Sequence, residues 1–263
     1  MEIERSNILG FGISAINMSM ATATIEEWIR RGERNYVCVT TVNSIIEGQR
    51  DEHFRRIHNL AGLVTPDGMP LVWLSKLMGF RHVERVYGPD LMLRLCEGSA
   101  AQGFRNYLYG GRPGVVELLA GQLQRRYPAL KIVGARTPEF LEGSTRYRQL
   151  SVEESDALVD EINASEADVV WVGLGSPIQE RWMAENVGRL KASALIGVGA
   201  AFDFHAGLKR QAPGWMQRAG LEWSFRLAME PRRLWRRYLV RNSQFIWLMF
   251  LQAIGQRHIP LNS

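Results

Sequence analysis

The chain has 263 residues, of which 46% are hydrophobic and 22% charged, and this composition excludes a disordered or collagen-like protein. The formal net charge of +5 is uneven, because residues 205–263 contain ten Lys or Arg and two acids, a net +8, which leaves −3 for residues 1–204. No apolar run reaches eighteen residues, which excludes a membrane-spanning helix of ordinary length. With two cysteines and an acidic amino terminus, we expect a protein of the reducing cytoplasm.

Residues 1–204 alternate short β-branched runs with segments of helical period, which is typical of parallel strands joined by helices. Capping boxes at residues 151–154 and 176–179 predict two of the helix starts. The aperiodic stretch 135–150 predicts an exposed loop. The predicted strands are NILGF (7–11), YVCVTT (36–41), GLVT (62–65), RNYLYG (105–110), LKIVG (130–134), DVVWVG (168–173) and ALIGV (194–198). The predicted fold class is therefore α/β, with a parallel sheet and helices on both faces.

The pattern changes after about residue 205, where strand-like runs stop and a helical pattern rich in Trp and Arg begins. Residues 232–252 predict one longer helix that is basic first and apolar later, ending in the run FIWLMFL at 245–251. We therefore predict a body (1–204) and a helical appendage (205–263). The basic and aromatic composition of the appendage indicates an anionic partner, which is a phosphate, a nucleic acid or a lipid surface.

Three glycine-rich turns follow predicted strands, in YLYGGRPG (Gly110, Gly111), VGLGSP (Gly175) and GVGAAFDF (Gly199). At the carboxyl ends of parallel strands, helix amino termini offer N–H groups to phosphate. Each turn taken alone is better explained as a tight turn than as a phosphate-binding loop, whereas the three together favour a nucleotide site. None matches the GxGxxG fingerprint of a dinucleotide site with its ribose-binding acid.

Asp67 stands between a predicted strand and the helical segment PLVWLSKLM, so it is expected at the rim of a crevice. It is either a helix cap or a general base. A helix amino terminus favours the ionised carboxylate and weakens the base, unless burial or a nearby acid offsets the effect.

Cations of the appendage offer a second kind of candidate. Arg226, Arg233 and Arg236 would share a face if helical geometry persists past Pro231, either as a solvated surface or as ligands of a diphosphate. No DxD motif and no cluster of His, Cys, Asp or Glu has metal-ligand spacing. We therefore expect no metal site, and side-chain cations would have to take the place of magnesium.

The motifs together resemble the WecG/TagA/CpsF family, glycosyltransferase family 26. The segments with this resemblance cover nearly the whole chain: TTVN (40–43), TPDGMP (65–70), RVYGPDL (85–91), YLYGGRPGV (107–115), VGLGSPIQERWM (172–183) and the long segment 197–239. The resemblance implies a Rossmann-like body with an appendage that covers the active site. It also implies inverting, metal-independent and cofactor-free transfer of a sugar from a UDP donor to a polyprenyl-diphosphate-linked saccharide, in bacterial surface or exopolysaccharide synthesis.

The resemblance assigns roles to residues of this chain. Asp67 is the implied general base, and Thr41 and Asn43, beside acceptor and donor, are the other implied catalytic residues. The implied substrate-binding residues are Arg85, Gln179, Arg226, Arg233 and Arg236, to which we add the glycines of the three turns.

The partners expected from the resemblance are a UDP-sugar, such as UDP-glucose or a UDP-N-acetylmannosamine type, the lipid-linked acceptor, and an anionic membrane at the cytoplasmic face of the inner membrane. No nucleic acid is expected, and a homo-oligomer is left open. Two alternatives remain at this point: a nucleotide-dependent Rossmann oxidoreductase, weakened by the missing fingerprint, and a basic nucleic-acid-binding module, which would bind DNA with a steep salt dependence.

Overall fold

The computed structural model describes residues 3–141, 147–256 and 259–261. The chain forms two compact units, the first from residues 1–21, 38–87 and 211–263 and the second from residues 22–37 and 88–210. The boundaries of these units differ from those of the predicted body and appendage, because residues 211–263 belong to the same unit as residues 38–87. Within the described ranges, no helix is long and apolar enough to cross a membrane.

The strands are β1 (Arg5–Ile8), β2 (Phe11–Ser14), β3 (Asn35–Thr40), β4 (Leu63–Pro66), β5 (Arg105–Gly110), β6 (Lys131–Arg136), β7 (Val169–Gly173) and β8 (Ala194–Gly197). The helices are α1 (Met18–Arg31), α2 (Val42–Gly48), α3 (Glu52–Leu60), α4 (Met69–Leu77), α5 (Gly88–Gln102), α6 (Val115–Arg126), α7 (Val152–Ala164), α8 (Ile178–Asn186), α9 (Ala201–His205), α10 (Gly214–Arg218), α11 (Glu222–Met229), α12 (Pro231–Trp235) and α13 (Arg241–Ala253). A π-helical turn, Arg236–Val240, joins α12 to α13.

The α/β fold class is confirmed, with strands β3 to β8 forming a six-stranded sheet. In the second unit the parallel strands lie in the order β8-β7-β5-β6. All five residues of β7 are buried, which explains why a continuous apolar run, VVWVG, forms this strand. The indole N–H of the buried Trp171 donates to Oδ1 of Asn106 at 2.9 Å, so these two buried polar groups pair with each other.

In the first unit, NILGF is a hairpin rather than one strand. Strands β1 and β2 are antiparallel, with Ile8 opposite Phe11. Leu9 (φ 52°) and Gly10 (φ 85°) turn the chain between them in the left-handed region. The prediction of a single strand was therefore wrong. A leucine rarely adopts the left-handed conformation, so the sequence gives no indication that the chain turns at Leu9.

The predicted capping boxes have different outcomes. The Ser151 box is confirmed at the start of α7, since its hydroxyl accepts from the Glu154 N–H at 3.3 Å and its own N–H donates to Glu154 at 2.8 Å. The box at residues 176–179 is wrong, because α8 starts after Pro177 without a side-chain cap. The amide oxygen of Gln179 instead accepts from the N–H of Gly175 at 3.1 Å.

The predicted helix at 232–252 is confirmed as a continuous helical stretch through α12, the π-helical turn and α13. Helical geometry does not persist from α11 across Pro231, since Glu230 between the two helices has φ −134° and ψ 60°. The predicted common face of Arg226, Arg233 and Arg236 is therefore wrong. On α13, Phe245 and Leu248 are buried, whereas Ile246, Trp247 and Phe250 are exposed.

Candidate active site

A pocket of about 120 Å³ lies in the first unit, where strands β3 and β4 end. Thr41 follows β3 directly and Asp67 follows β4 directly. The N–H of Asp67 donates to the carbonyl of Thr40 at 3.0 Å, which holds the two strand ends together. The pocket is lined by Thr41, Val42, Asn43, Asp67, Gly68, Met69, Pro70, Arg85, Gln217, Gly220, Glu222, Trp223, Arg226, Tyr238 and Asn242.

Asp67 and Glu222 share one arginine in this pocket. Nη2 of Arg85 lies 3.0 Å from Oδ1 of Asp67 and 2.6 Å from Oε2 of Glu222. Nε of Arg85 also donates to the main-chain carbonyl of Asp67. The hydroxyl of Tyr87 donates to Oε1 of Glu222 at 3.1 Å, and the Arg85 guanidinium stacks over the Tyr87 ring at 4.1 Å. Two acids and one arginine thus form a compact cluster that is largely shielded from solvent.

The environment of Asp67 suits a proton acceptor. Burial raises the pKa of Asp67 to about 6, with the Glu222 carboxylate adding to the rise and the Arg85 and Arg226 guanidiniums opposing it. Asp67 does not cap α4, whose N-cap is Gly68 without a side-chain bond. The helix-cap alternative for Asp67 is therefore wrong. Burial and a nearby acid, the two effects that could offset the helix terminus, are both present.

The same carboxylates act on the other groups of the cluster. Burial opposes the charge of Arg85, but Asp67 and Glu222 outweigh it and raise the pKa of that guanidinium. Burial, followed by the two carboxylates, raises the pKa of the Tyr87 hydroxyl. Arg85 is therefore a permanent cation and Tyr87 a permanent hydrogen-bond donor at physiological pH.

Thr41 and Asn43 lie at the start of α2. Thr41 is its N-cap, and its hydroxyl lies 3.4 Å from that of Ser44. Nη1 of Arg241 donates to Oδ1 of Asn43 at 2.6 Å and lies 2.8 Å from Oε2 of Glu47. The first turn of α13 thus fixes a side chain in the pocket.

The appendage arginines predicted as ligands occupy different environments. Arg226 lines the pocket, with Nη1 4.0 Å from Oε1 of Glu222. Arg236 is exposed, and its guanidinium lies 5.2 Å from the centre of the Trp235 ring. Arg233 belongs to α12, but its side chain lies outside the described residues.

Gly110, Gly111, Gly175, Gly199 and Gln179 belong to the second unit, where strands β5, β7 and β8 end. All four glycines have positive φ, from 48° at Gly199 to 137° at Gly110. A Cβ at Gly110 would lie 2.5 Å from the carbonyl carbon of Gly173, so this turn admits no larger residue. The buried Gln179 donates to Oε1 of Glu180 at 3.2 Å. These contacts explain the glycines as tight turns, and their role toward phosphate stays a prediction.

Several residues in or beside the pocket are not identified as site residues by the sequence pattern. Glu222 had one signal, since it is one of two acids among the ten cations of residues 205–263. Tyr87 belongs to the Arg85 and Glu222 cluster rather than to the pocket lining, and its place in the RVYGPDL motif does not indicate its bond to Glu222. Tyr238 and Asn242 had no local signal, because the fold of residues 211–263 brings them to strands β3 and β4.

No group of three or more His, Cys, Asp or Glu is placed to hold a metal ion in the ranges 3–141, 147–256 and 259–261. The pocket therefore offers guanidinium groups, from Arg85 and Arg226, as its cations.

Comparison with known proteins places this geometry in context. Residues 6–259 match the profile described as the Glycosyl transferase WecG/TagA/CpsF family. A Bacillus subtilis (strain 168) protein is 27% identical over 231 residues, 85% of each chain, and a Bacillus spizizenii protein is 29% identical over 203 residues, 76% of this chain and 74% of the relative. A Staphylococcus aureus (strain MW2) protein is 25% identical over 240 residues, 89% of this chain and 90% of the relative. All three are named N-acetylglucosaminyldiphosphoundecaprenol N-acetyl-beta-D-mannosaminyltransferase.

Proposed function

Because the chain belongs to the WecG/TagA/CpsF glycosyltransferase family, we propose that it moves a sugar from a UDP-linked donor to a saccharide carried on a polyprenyl diphosphate, with inversion at the anomeric carbon. Family membership makes the protein a sugar-transferring enzyme, in place of the oxidoreductase and the nucleic-acid-binding module that the sequence left open. The observation that carries the proposal is a pocket carboxylate, Asp67, with a raised pKa beside two arginines.

Asp67 is the proposed general base. In a single displacement, the acceptor hydroxyl oxygen forms a bond to the anomeric carbon while its proton passes to Asp67. The bond between that carbon and the β-phosphate oxygen breaks, and UDP leaves with the electron pair. A carboxyl with a pKa near 6 is mostly ionised at neutral pH and is a stronger base than an ordinary aspartate.

The departing UDP gains negative charge, which a cation can stabilise most where water is excluded. Arg226 lines the pocket and is the proposed ligand of the diphosphate. Arg85 is shared between two carboxylates, so we assign it to the geometry of Asp67 before the phosphate. With guanidiniums in this role, the reaction is proposed to need no metal.

Thr41 and Asn43 supply a hydroxyl and an amide to the same pocket. These groups both donate and accept hydrogen bonds, which suits them to the hydroxyls of donor and acceptor sugars. Gln179 and the turns at Gly110, Gly111, Gly175 and Gly199 remain proposed substrate-binding residues from the sequence analysis. Arg233 and Arg236 remain proposed substrate ligands from the resemblance alone.

The donor is proposed to be UDP-glucose or a UDP-N-acetylmannosamine type. The names of the relatives support the second, since each is called an N-acetyl-mannosaminyltransferase of a diphosphoundecaprenol-linked acceptor.

A lipid-linked acceptor requires the enzyme to work at a membrane, and we propose peripheral binding at its cytoplasmic face. The exposed residues Trp247 and Phe250 of α13, with basic residues such as Arg232 and Arg236 before them, support this proposal. Aromatic side chains favour headgroup depth, and each surface-near arginine contributes about 1 kcal/mol toward anionic lipid.

The direct test supplies the purified full chain with an N-acetylglucosaminyl-diphospho-lipid acceptor and a panel of UDP-N-acetylmannosamine, UDP-N-acetylglucosamine and UDP-glucose. The expected result is UDP release with one donor, an inverted anomeric configuration in the NMR spectrum of the product, and full activity in EDTA. Transfer with retention would overturn the single displacement. Loss of activity in EDTA that Mg²⁺ or Mn²⁺ restores would overturn metal independence alone.

A further inference from the structure

Glu222 is an acid placed in a basic segment and turned into the pocket. It opens α11, and only 9% of its surface is exposed. Oε2 accepts from Arg85 at 2.6 Å, and Oε1 accepts from the Tyr87 hydroxyl at 3.1 Å. A buried carboxylate is costly unless it is paired, and both of its oxygens are paired here. This pairing fixes both Glu222 and Arg85.

The arginine is held more closely by Glu222 than by the side chain of Asp67. The two Nη2 distances are 2.6 Å and 3.0 Å. The Tyr87 ring beneath the guanidinium, 4.1 Å away, adds a third contact. Oδ1 is the Asp67 oxygen in contact with Arg85. We assign the other oxygen, Oδ2, to the proton of the substrate hydroxyl.

The groups facing Asp67 come from two elements. Arg85 and Tyr87 belong to the segment before α5, and Glu222 and Arg226 belong to α11. Arg85 and Arg226 stabilise the charged carboxylate, and Glu222 destabilises it by like-charge repulsion. Without Glu222, Asp67 would face two cations and no acid, which would lower its pKa and make it a weaker base.

We propose that Glu222 is a positioning residue for the transfer reaction, whose carboxylate holds Arg85 in a shared ion pair and so keeps Asp67 able to accept a proton. This inference rests on the proposed function in taking Asp67 as the base. It goes further in making that base dependent on α11, because the acid that tunes Asp67 is contributed by residues 211–263. A purely structural role, in which Glu222 only attaches α11, predicts no effect on the titration of Asp67.

The test is a titration of the full chain labelled with ¹³C at the aspartate γ-carbons and the glutamate δ-carbons. The Asp67 resonance is the one missing from the Asp67→Asn variant. Its pKa should fall by about one unit in Glu222→Gln, since removing a like charge in a buried site has effects of that size. The matched control is Glu230→Gln, which removes the other acid of the same segment and should leave the Asp67 titration unchanged. Glu222→Asp keeps the charge and should restore most of the wild-type pKa.

Kinetics provide the second measurement. In folded Glu222→Gln, the acid limb of kcat should move to lower pH together with the Asp67 resonance, and kcat on the plateau should fall. An Asp67 titration that is the same in wild type and Glu222→Gln would overturn the inference. If Glu222→Gln does not fold, the wild-type Glu222 δ-carbon, identified by its loss in Glu222→Asp, is followed instead. It should show an inflection at the pKa of Asp67, and its absence would overturn the inference.

The titrations need no substrate, so they separate this inference from the proposed function. A chain without transferase activity toward any donor would overturn the proposed function, whatever the titration shows. An active enzyme whose Asp67 titrates independently of Glu222 would overturn only the role of Glu222.

Discussion

Arg241 donates a hydrogen bond from Nη1 to Oδ1 of Asn43 at 2.6 Å, and the same nitrogen lies 2.8 Å from Oε2 of Glu47. Asn43 and Glu47 lie on α2, whereas Arg241 is the first residue of α13. One cation of residues 211–263 therefore orients a pocket amide through a charge-assisted bond. The orientation of Asn43, which is proposed to meet substrate, therefore depends on a residue of the C-terminal segment.

Replacing Arg241 should impair substrate positioning more than stability. In Arg241→Met the side chain keeps much of its length but cannot orient Asn43, so kcat/KM should fall by about 10-fold to 100-fold. Steady-state kinetics measure the effect. The control is Arg218→Met, which removes the same charge from an exposed position of the same segment and should change kcat/KM little. Equal losses in the two variants would point to net charge rather than to Asn43.

Removing the base should abolish turnover and spare binding. Asp67→Asn keeps the shape of the side chain but cannot accept a proton, so kcat should fall by about 10²-fold to 10⁴-fold. Affinity for UDP, measured by calorimetry, should stay within about threefold, since the lost group acts on the acceptor hydroxyl. Near-wild-type turnover in the folded variant would show that another group accepts the proton.

The pH dependence of the reaction follows from the same carboxyl. Burial raises the pKa of Asp67 to about 6, and the base acts only when ionised. Activity should therefore fall as the pH drops through about 6, and kcat/KM should show one acid limb in that region. A profile flat down to about pH 5 would mean that Asp67 has an ordinary pKa or is not the base.

Much of the fold could be predicted from the sequence because a buried parallel strand corresponds to a short continuous run of apolar residues. The run VVWVG predicts β7, all of whose residues are buried. The hairpin at Leu9 and Gly10 could not be predicted in this way, since the residue type at position 9 does not indicate a positive φ. Likewise, the spacing of Arg226 and Arg236 predicted a common face, but Pro231 starts a new helix between them.

In the candidate site, too, local features could be predicted from the sequence and long-range pairs could not. Asp67 could be predicted because the strand end, the glycine after it and the motif all lie within a few residues. Glu222 could not, because its partner Arg85 is 137 residues away and no local pattern records their pairing. Long-range ion pairs are decided by packing, so a sequence shows only that an acid stands in an otherwise basic segment.

Stability should depend on pH through His58, which is fully buried between Phe11 and Phe54. Burial lowers the pKa of His58 to about 4, although its Nδ1 contact with the Phe54 carbonyl, 3.0 Å away, opposes the shift. The unfolded chain takes up a proton near the ordinary histidine value and the folded chain does not. The contribution of His58 to stability is therefore complete above about pH 6.5 and is lost as the pH falls through about 4.

Chemical unfolding of wild type and His58→Gln at several pH values measures this effect. The difference between their free energies of unfolding should shrink by about 3 kcal/mol between pH 7 and pH 4. Asp67 acts in the opposite direction, since its raised pKa favours the folded state at low pH, and it cancels in the comparison because both proteins contain it. A constant difference would show that His58 takes up a proton at the same pH in the folded and unfolded protein.

The two faces of α13 should separate membrane binding from folding. Phe245 and Leu248 are buried and face the unit, whereas Trp247 and Phe250 are 59% and 52% exposed and stack on each other at 5.8 Å. The double variant Trp247→Ser, Phe250→Ser should therefore lower binding to anionic vesicles by about tenfold or more, since burying one such side chain is worth about 1.5–3 kcal/mol. Its melting temperature should stay close to that of wild type.

Phe245→Ala, on the buried face of α13, should have the opposite effect. It should cost about 3–5 kcal/mol of stability and leave the vesicle affinity of the remaining folded protein unchanged. Co-sedimentation with vesicles of anionic and of neutral lipid measures the first effect, and raising the salt should release part of the wild-type protein. If the double variant sediments like wild type, the exposed face of α13 does not contact lipid.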